Sequence, residues 1–346
     1  MKSMTALFSL ALAGLVAGAC GDDTETGGTG AGGGGGGAGG GGTGGAGGAA
    51  PSVEVVTAFD ADAFELPEGL AIRDGDAYLG FALTGAIDRF ELPSGARSAF
   101  ANAPPPPPNT SFLTGLTFDP AGNLYGAYVS FTADAAPGIY RAPAAGGEAT
   151  LWATHPQMVF PNGFAWDDDG RLYVTDSSVG GVFRIDADGE VELWASDPLL
   201  EGDLEACGPH GDLAVGANGL VFKDGAFYVA SSDKALLARI PLEADGGAGV
   251  LNVVGEANCD ELAGIDGMTL DDDGTIIAAI NRSNRIVRIG EDGAVEVLAE
   301  GAPLEFPASV ELAGEGDERA LYVTSFALGA LLAGEEPHPA LVRIVF

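Results

Sequence analysis

Apolar and polar residues alternate with the two-residue period of β-strands along most of the chain after residue 50. Short apolar runs such as Leu172-Tyr173-Val174 and Phe227-Tyr228-Val229 are separated by turns rich in Asp and Gly, among them Asp271-Asp272-Asp273-Gly274. No stretch of this region shows sustained helical periodicity. The pattern therefore predicts an all-β domain built from many short strands.

The strand pattern recurs six times. In each repeat a position that we name X is followed by a small residue, an apolar residue, a further residue and a second apolar one. The residues at X are Glu68, Thr114, Asn162, Asn218, Asp266 and Ala308. Successive X positions are 46, 48, 56, 48 and 42 residues apart, a spacing typical of propellers and solenoids. Because each repeat accommodates four strands, the sequence predicts a six-bladed β-propeller.

The two ends of this region support a closed ring. The last repeat ends at its third strand, residues 341–346, and lacks a fourth. Residues 53–57, Val-Glu-Val-Val-Thr, match the missing fourth-strand pattern. Closure would hide the unpaired sheet edges, so we expect the N-terminal strand to complete the last blade.

Four of the X residues carry carboxylate or amide oxygens: Glu68, Asn162, Asn218 and Asp266. The innermost strand of a propeller blade begins at one mouth of the central tunnel, so these side chains are expected to point at the axis from one face. Such oxygens suit Ca²⁺, which accepts about six to eight oxygen ligands, whereas zinc or copper would want His or Cys. Asn and Asp are also common turn residues before glycine, so a purely structural role for X stays open.

The loops expected on the same face contain three histidines, His155, His210 and His338. Together with Thr114 and Phe160 they are candidates for the rim of a pocket. A loop histidine can shuttle a proton, although a solvated side chain is the simpler interpretation.

Polar residues that follow second strands, such as Ser177, Ser232 and Asn281, could also line the rim, and turn chemistry explains them equally well. The Asp-Asp-Asp-Gly turns belong to the opposite face and are interpreted as solvated turns. The chain contains no Gly-x-Ser-x-Gly motif, so a serine-hydrolase triad is not indicated.

The residues around four X positions read Pro67-Glu68-Gly69, Pro161-Asn162-Gly163, Ala217-Asn218-Gly219 and Ile265-Asp266-Gly267-Met268. They resemble the metal-site motifs of the senescence-marker/gluconolactonase (regucalcin-like) propellers. Diisopropyl-fluorophosphatase and the paraoxonases carry a similar Glu, Asn, Asn, Asp set on the same fold. The resemblance covers about residues 53–346. It implies a Ca²⁺-dependent hydrolase of lactones, esters or phosphotriesters.

Carried over position by position, the resemblance makes Glu68, Asn162, Asn218 and Asp266 the ligands of one metal ion, with another divalent metal as an alternative. It makes Asp266 the candidate catalytic base or nucleophile.

One position departs from the family pattern. Sugar-lactonase members often have Arg two residues before the third-blade Asn, and this chain has Phe160 there. We therefore expect a more apolar lactone or ester than gluconolactone as the small-molecule substrate. A non-catalytic propeller that presents a ligand- or protein-binding face is the alternative, because a fold does not determine a function.

The charge balance excludes some partners. The chain has 15 Lys and Arg residues against 50 Asp and Glu residues, and a formal net charge of -35. Nucleic acid and a polybasic contact with anionic lipid both need a basic surface, so neither is expected. We expect a monomer.

The N-terminal residues predict export. Lys2 precedes an apolar run over residues 6–16 that is too short to cross a bilayer, as in a secretory signal peptide. Ala17-Gly18-Ala19-Cys20 resembles a bacterial lipobox, which would make residues 1–20 a lipoprotein signal peptide and Cys20 the lipidated residue. Simple export with Cys20 discarded is the alternative.

Residues 21–50 are predicted to form a Gly-rich flexible tether, and residues 51–346 the propeller. This organisation predicts an exported lipoprotein, at the periplasmic face or the cell surface, that touches the membrane only through its lipid. Cys207 and Cys259 would then lie in an oxidising compartment, and we predict a disulfide between them. Two free thiols are the alternative.

Overall fold

The strands of the chain form six antiparallel sheets that follow one another around an axis. A computed structural model describes residues 51–107, 110–132, 135–208 and 213–346. The predicted signal peptide, Cys20 and the tether lie outside the described residues. Innermost strands of successive blades contact each other, and the last blade contacts the first, so the ring is closed. The predicted six-bladed β-propeller is confirmed.

Each blade has its innermost strand at the axis and its fourth strand outside. Blade 1 consists of β2 (Pro67–Arg73), β3 (Asp76–Phe81), β4 (Ala86–Glu91) and β5 (Ala96–Asn102). Blade 2 consists of β6 (Ser111–Phe118), β7 (Leu124–Ser130), β8 (Gly138–Ala142) and β10 (Thr150–Ala153). Blade 3 consists of β11 (Pro161–Trp166), β12 (Leu172–Asp176), β13 (Gly181–Ile185) and β14 (Val191–Ser196). The short β9 (Gly147–Glu148) adds a parallel fifth strand outside β5.

The second half of the ring repeats this order. Blade 4 consists of β15 (Ala217–Lys223), β16 (Ala226–Ser231), β17 (Leu236–Pro241) and β18 (Asn252–Val254). Blade 5 consists of β19 (Ile265–Leu270), β20 (Ile276–Ile280), β21 (Arg285–Ile289) and β22 (Val295–Glu300). Blade 6 consists of β23 (Pro307–Ala313), β24 (Ala320–Ser325), β25 (Ala340–Val345) and β1 (Ser52–Ala58).

The N-terminal strand closes the ring as predicted. β1 pairs antiparallel with β25, with Val53 opposite Ile344 and Val55 opposite Val342. The first strand of the domain is thereby the fourth strand of the last blade, which ties the two ends of the chain together.

The core lies between neighbouring blades rather than in one central layer. Between blades 5 and 6, for example, Ile277 and Ile286 pack with Val323 and Val342, all of them essentially inaccessible to water. The remaining blade pairs bury equivalent clusters of apolar side chains. Each fully buried Val, Ile or Leu stabilises the fold by about 1.5–3 kcal/mol.

Every innermost strand has a break in its pairing register at position X. The breaks fall at Pro67/Gly69, Leu113/Leu116, Pro161/Phe164, Ala217/Leu220, Ile265/Met268 and Pro307/Val310. A bulge of this kind turns a side chain away from the regular alternation of a strand. Position X therefore lies within a strand, and the alternative interpretation of X as a simple turn residue is wrong.

The glycine after X is explained by the closeness of the blades at the axis. At Gly219, an added Cβ would overlap the backbone carbonyl oxygen of Asp266 in the next blade. The glycines that follow X in blades 1, 2, 3 and 5 face the carbonyl of the following X residue in the same way. Only a residue without a Cβ fits there without moving the neighbouring strand.

The described residues also contain two short α-helices in connecting loops, which the strand pattern did not predict. They are α1 (Cys259–Leu262) and α2 (Leu328–Ala333). Single turns of 3-10 helix lie at Ala61–Ala63, Pro198–Leu200, Asn281–Ser283 and Gly316–Glu318. Among the residues described, no helix has the length and apolar character needed to cross a membrane.

The Asp-Asp-Asp-Gly turns have a structural role. Asp167 accepts backbone hydrogen bonds from Asp169 and Arg171 and pairs with the Arg171 guanidinium at 2.7 Å. Asp271 pairs with Arg288 at 3.0 Å and with Arg319 at 2.5 Å. These carboxylates close turns and bind arginines.

Candidate functional site

The four oxygen-bearing X residues begin four innermost strands at the same end of the tunnel. Glu68 is the second residue of β2, and Asn162, Asn218 and Asp266 are the second residues of β11, β15 and β19. Their exposed fractions are 7%, 6%, 3% and 7%, so these polar groups face the interior of the ring. We refer to these four residues as the quartet.

The two carboxylates of the quartet lie close enough to influence each other. Burial, and then the negative charge of Asp266, raise the pKa of Glu68 well above its ordinary value. Burial raises the pKa of Asp266 to about 7, and hydrogen bonds from Asn281, Asn218 and the Gly267 backbone N–H offset part of that increase. None of the ion pairs found among the described residues includes Glu68 or Asp266, so no Lys, Arg or His side chain of the described residues neutralises these two buried carboxylates.

Two serine hydroxyls fix how the amides of the quartet are turned. Ser232 Oγ donates to the Ile265 carbonyl at 2.5 Å, so its one proton is used and it can only accept from the Asn218 Nδ2 group, 3.0 Å away. Ser177 repeats this arrangement, donating to the Ala217 carbonyl at 2.7 Å and accepting from Asn162 Nδ2 at 3.3 Å. Each serine therefore holds the nitrogen side of the amide and leaves the oxygen side for another partner.

Asn281 has the equivalent position in blade 5. Its Nδ2 group donates to Asp266 Oδ2 at 3.1 Å. In each of these blades, the residue that precedes X pairs with a residue of the second strand. The next residue along the chain is Ser177, Ser232 or Asn281. The sequence did not decide whether these residues line the rim of the pocket or only form turns. The structure shows that they contact the quartet.

Two atoms of the quartet are buried without any hydrogen-bond partner, Glu68 Oε2 and Asn218 Oδ1. A buried polar atom left unpaired costs about 1–3 kcal/mol, and a charged one costs more. A hard divalent cation would satisfy both oxygens and neutralise the two carboxylates. The residues present therefore fit an oxygen-ligated metal ion. Within the described residues no group of three or more His, Cys, Asp or Glu side chains comes together, so this is a mixed carboxylate and amide set.

The remaining two X residues do not offer free oxygens. Thr114 Oγ1 donates its one proton to the nearer of two backbone carbonyls, that of Pro161 at 2.8 Å, with the Ala127 carbonyl at 3.2 Å, and so joins blade 2 to blade 3. Ala308 is covered by an apolar cluster that includes Phe326 and Leu331. Thr114, a predicted rim residue, is instead part of the wall between two blades.

The other predicted rim residues have different surroundings. Phe160 lies two residues before Asn162, is buried, and packs its ring against Phe112 at a centroid distance of 5.2 Å. The His155 ring lies 5.2 Å from the Phe183 ring on the third strand of blade 3. His338 is exposed beside β1, and its Nδ1 atom lies 3.1 Å from Glu305 Oε2. His210 lies outside the described residues.

Two aspartates near the site hold loops. Asp176 Oδ2 accepts from the backbone N–H groups of Val159 and Phe160, at 2.8 and 2.9 Å, and so fixes the segment that leads to Asn162. Asp233 Oδ2 accepts from the N–H groups of Asp203 and Val215, and its other oxygen accepts from Arg282 at 2.7 Å. Both carboxylates position the chain before an X residue.

Cys207 and Cys259 form a disulfide, as predicted, with a Cα–Cα distance of 5.1 Å. It joins the loop before blade 4 to α1, which directly precedes blade 5 and Asp266. The bond ties together the two connections that lead to Asn218 and Asp266.

Comparison with known proteins agrees with this fold. Residues 199–327 match the family model described as SMP-30/Gluconolactonase/LRE-like region. This segment contains Asn218 and Asp266. The predicted resemblance to the gluconolactonase-like propellers is therefore confirmed over this segment. Among curated proteins, none matches the chain.

Solved structures share the fold at low sequence identity. A calcium-binding protein, regucalcin, from Agrobacterium tumefaciens is 19% identical with a TM-score of 0.59, over 84% of this chain and 92% of that one. XC5397 from Xanthomonas campestris, described as a gluconolactonase, is 15% identical with a TM-score of 0.59, over 85% and 89% of the two chains. The PQQ-bound aldose sugar dehydrogenase from Streptomyces coelicolor is 19% identical with a TM-score of 0.60, over 85% and 98%. At such identities the likeness concerns the fold alone.

Proposed function

We propose that this protein is a Ca²⁺-dependent hydrolase of small lactones or esters, with phosphotriesters as a further substrate class. The observation that carries the proposal is the pair of buried, unpartnered oxygens, Glu68 Oε2 and Asn218 Oδ1, beside the buried carboxylates of Glu68 and Asp266. The family match and the naming of one structural neighbour as a gluconolactonase support the choice of substrate.

Glu68, Asn162, Asn218 and Asp266 are the residues that would hold the metal ion. A bound divalent cation polarises a carbonyl or phosphoryl oxygen and stabilises the charge that develops on it. Asp266 is the group that would attack the substrate or take a proton from a water molecule. Asn281 and Asn218 hold its carboxylate through hydrogen bonds and so direct the reacting oxygen.

Metal binding is tested by thermal unfolding with and without Ca²⁺. At a calcium concentration about 100-fold above Kd, we expect the Tm to rise by roughly 5 °C. Glu68→Gln should abolish the shift, because it removes one charge while keeping the shape of the side chain. The matched control is Asp168→Asn in an exposed turn, which should keep the full shift. An unchanged Tm in the wild type would contradict the metal site.

Catalysis is tested with a panel that contains a lactone, an aryl ester and a phosphotriester. We expect turnover of at least one lactone or ester that is lost with a chelator and restored by Ca²⁺. Calcium binding without turnover of any member would favour the non-catalytic propeller instead.

We also propose that Cys20 anchors the protein to a membrane through a lipid. The lipobox-like residues and the Gly-rich tether before the folded domain support this proposal. Incorporation of a labelled fatty acid into the wild type, and its loss in Cys20→Ser, is the expected result. Release of unlabelled protein from the cell would contradict it.

A further inference from the structure

In each blade, one residue of the second strand pairs with the residue that precedes X. The residue that follows it along the chain occupies an equivalent position in all six blades. In blades 3, 4 and 5 it holds Ser177, Ser232 and Asn281, which contact the quartet. In blades 6, 1 and 2 the same register position holds Phe326, Ala82 and Val129. At this register position polar and apolar residues are therefore not mixed, and each kind fills three consecutive blades. We name blades 3 to 5 at this mouth the polar arc.

The apolar side is extended by neighbouring loops. A single cluster joins Ala82, Ala308 and Phe326 with Leu66 and Leu331, and Leu83, Phe112, Phe306 and Leu328 pack against it while remaining partly exposed. These residues come from the loops between second and third strands, from α2, and from the starts of innermost strands, all of which lie on the X face. We name this cluster the apolar arc.

The apolar arc continues to the edge of the quartet. The Phe112 ring packs against Phe160 at 5.2 Å and against Phe131 at 6.2 Å. Phe160 directly precedes Pro161 and Asn162. On the other side, Ala308 and Phe326 adjoin blade 1, which carries Glu68. An apolar wall thus runs from blade 6 to the start of blade 3 and meets the polar arc at Asn162.

The two arcs set opposite conditions for a bound molecule. A hydroxyl group placed against phenylalanine rings loses its hydrogen bonds to water and gains none in exchange. An alkyl or aryl group placed there is removed from water favourably, with binding about fourfold tighter for each buried methylene. On the polar arc, by contrast, a carbonyl group would meet amide and carboxylate side chains.

We propose that the substrate is an amphipathic lactone or ester whose carbonyl group lies on the polar arc and whose alkyl chain or aryl ring lies on the apolar arc. This inference rests on the proposed hydrolase function. It makes Phe112 and Phe306, the partly exposed rings at the two sides of the wall, residues that determine specificity.

The test uses γ-lactones whose side chain lengthens from methyl to octyl, together with a hydroxylated sugar lactone. In the wild type, kcat/KM should rise about fourfold per methylene over the first few members, and the sugar lactone should be the poorest substrate. Phe112→Ala and Phe306→Ala should flatten this dependence on chain length. The matched control is Phe100→Ala, a partly buried ring on β5 that packs against Tyr78 away from the mouth, which should preserve the slope.

A second measurement separates this inference from the hydrolase function. The corresponding γ-lactams keep the ring and the carbonyl group but hydrolyse far more slowly, so calorimetry reports their affinity without turnover. An affinity that rises with chain length in the wild type and not in the Phe112 and Phe306 variants supports the apolar arc, even if no lactone is hydrolysed. A flat lactam series, or a preference for the hydroxylated lactone, overturns the inference and leaves the hydrolase function standing.

Discussion

The polar arc and the apolar arc are built from the same six-fold repeat, yet they place different chemistry at equivalent positions. In blades 3 to 5 the residue after the second strand is a hydrogen-bonding group that turns a quartet side chain. In blades 6, 1 and 2 the same register position holds an alkyl or aromatic group: Phe326, Ala82 and Val129. The repeat supplies six equivalent places around an axis. Blades 3 to 5 hold three of the four quartet residues, and Glu68 of blade 1 faces them from the half of the ring that contains the apolar arc.

The largest expected effect comes from Asp266, the carboxylate that we propose as the catalytic group. Asp266→Asn should lower kcat by about 10²–10⁴-fold, since the amide can neither attack nor accept a proton. The variant should keep the fold, because its side chain has the same shape. Steady-state kinetics at saturating Ca²⁺ provide the measurement. Wild-type rates would remove Asp266 from the mechanism.

The next effect tests the close approach of the blades at the axis. Gly219→Ala should lower the free energy of unfolding by about 3 kcal/mol, because the new Cβ overlaps the Asp266 carbonyl and the strands must separate. Blade 6 offers the control, since Ser309 already carries a side chain at the equivalent position, and Ser309→Ala should change stability by less than about 0.5 kcal/mol. Urea denaturation of both variants decides, and equal midpoints would contradict the account of the glycines.

A third experiment addresses the register position that distinguishes the two arcs. Asn281→Ala should weaken calcium binding by about 10–100-fold, because it removes the hydrogen bond that holds the Asp266 carboxylate. Phe326→Leu changes the equivalent residue of the apolar arc and should leave the calcium affinity unaltered. Calorimetric titration of the two variants gives the comparison. Equal losses would show that the two positions do not differ in their relation to the ion.

The smallest effect concerns Glu311, a carboxylate on β23, the innermost strand of blade 6. Burial raises the pKa of Glu311 to about 7, although Thr269 donates a hydrogen bond to it at 3.0 Å. Between the ordinary value of 4.5 and about 7 the folded state holds a proton that the unfolded state has lost, so the stability contributed by this group falls as pH rises through that window.

We compare the free energy of unfolding of Glu311→Gln with that of the wild type at each pH. The difference should favour the variant at pH 8 by on the order of 1 kcal/mol more than at pH 5. Urea denaturation at the two pH values measures this difference. A difference between variant and wild type that does not change with pH would contradict the raised pKa.

Much of the fold could be predicted because repetition reveals it. Six copies of the X pattern and the spare strand at residues 53–57 define the blade number and the closure, and β1 pairs with β25 as expected. The disulfide also followed from a simple count of cysteines. The quartet was recognisable because Glu, Asn, Asn and Asp stand at the same place in the repeat.

Other features depend on contacts that sequence spacing does not contain. The role of Ser232 follows only from its simultaneous bonds to Ile265 and Asn218, which lie in different blades. The apolar arc is assembled from loops far apart in the chain, and α2 is too short to produce a helical pattern. Phe326, Ala82 and Val129, which stand where Ser177 and Ser232 stand in other blades, were the signal in the sequence that the six positions are not alike.

The direction of β1 has a consequence for how the molecule would stand on a membrane. As the fourth strand of blade 6, β1 runs toward the mouth that holds the quartet, so Ser52 lies at the opposite end of the ring. A lipid on Cys20 would consequently hold the propeller by its underside. The tether would then leave from the end of the ring opposite the quartet, and the mouth that holds the quartet would stay accessible to solutes that diffuse past.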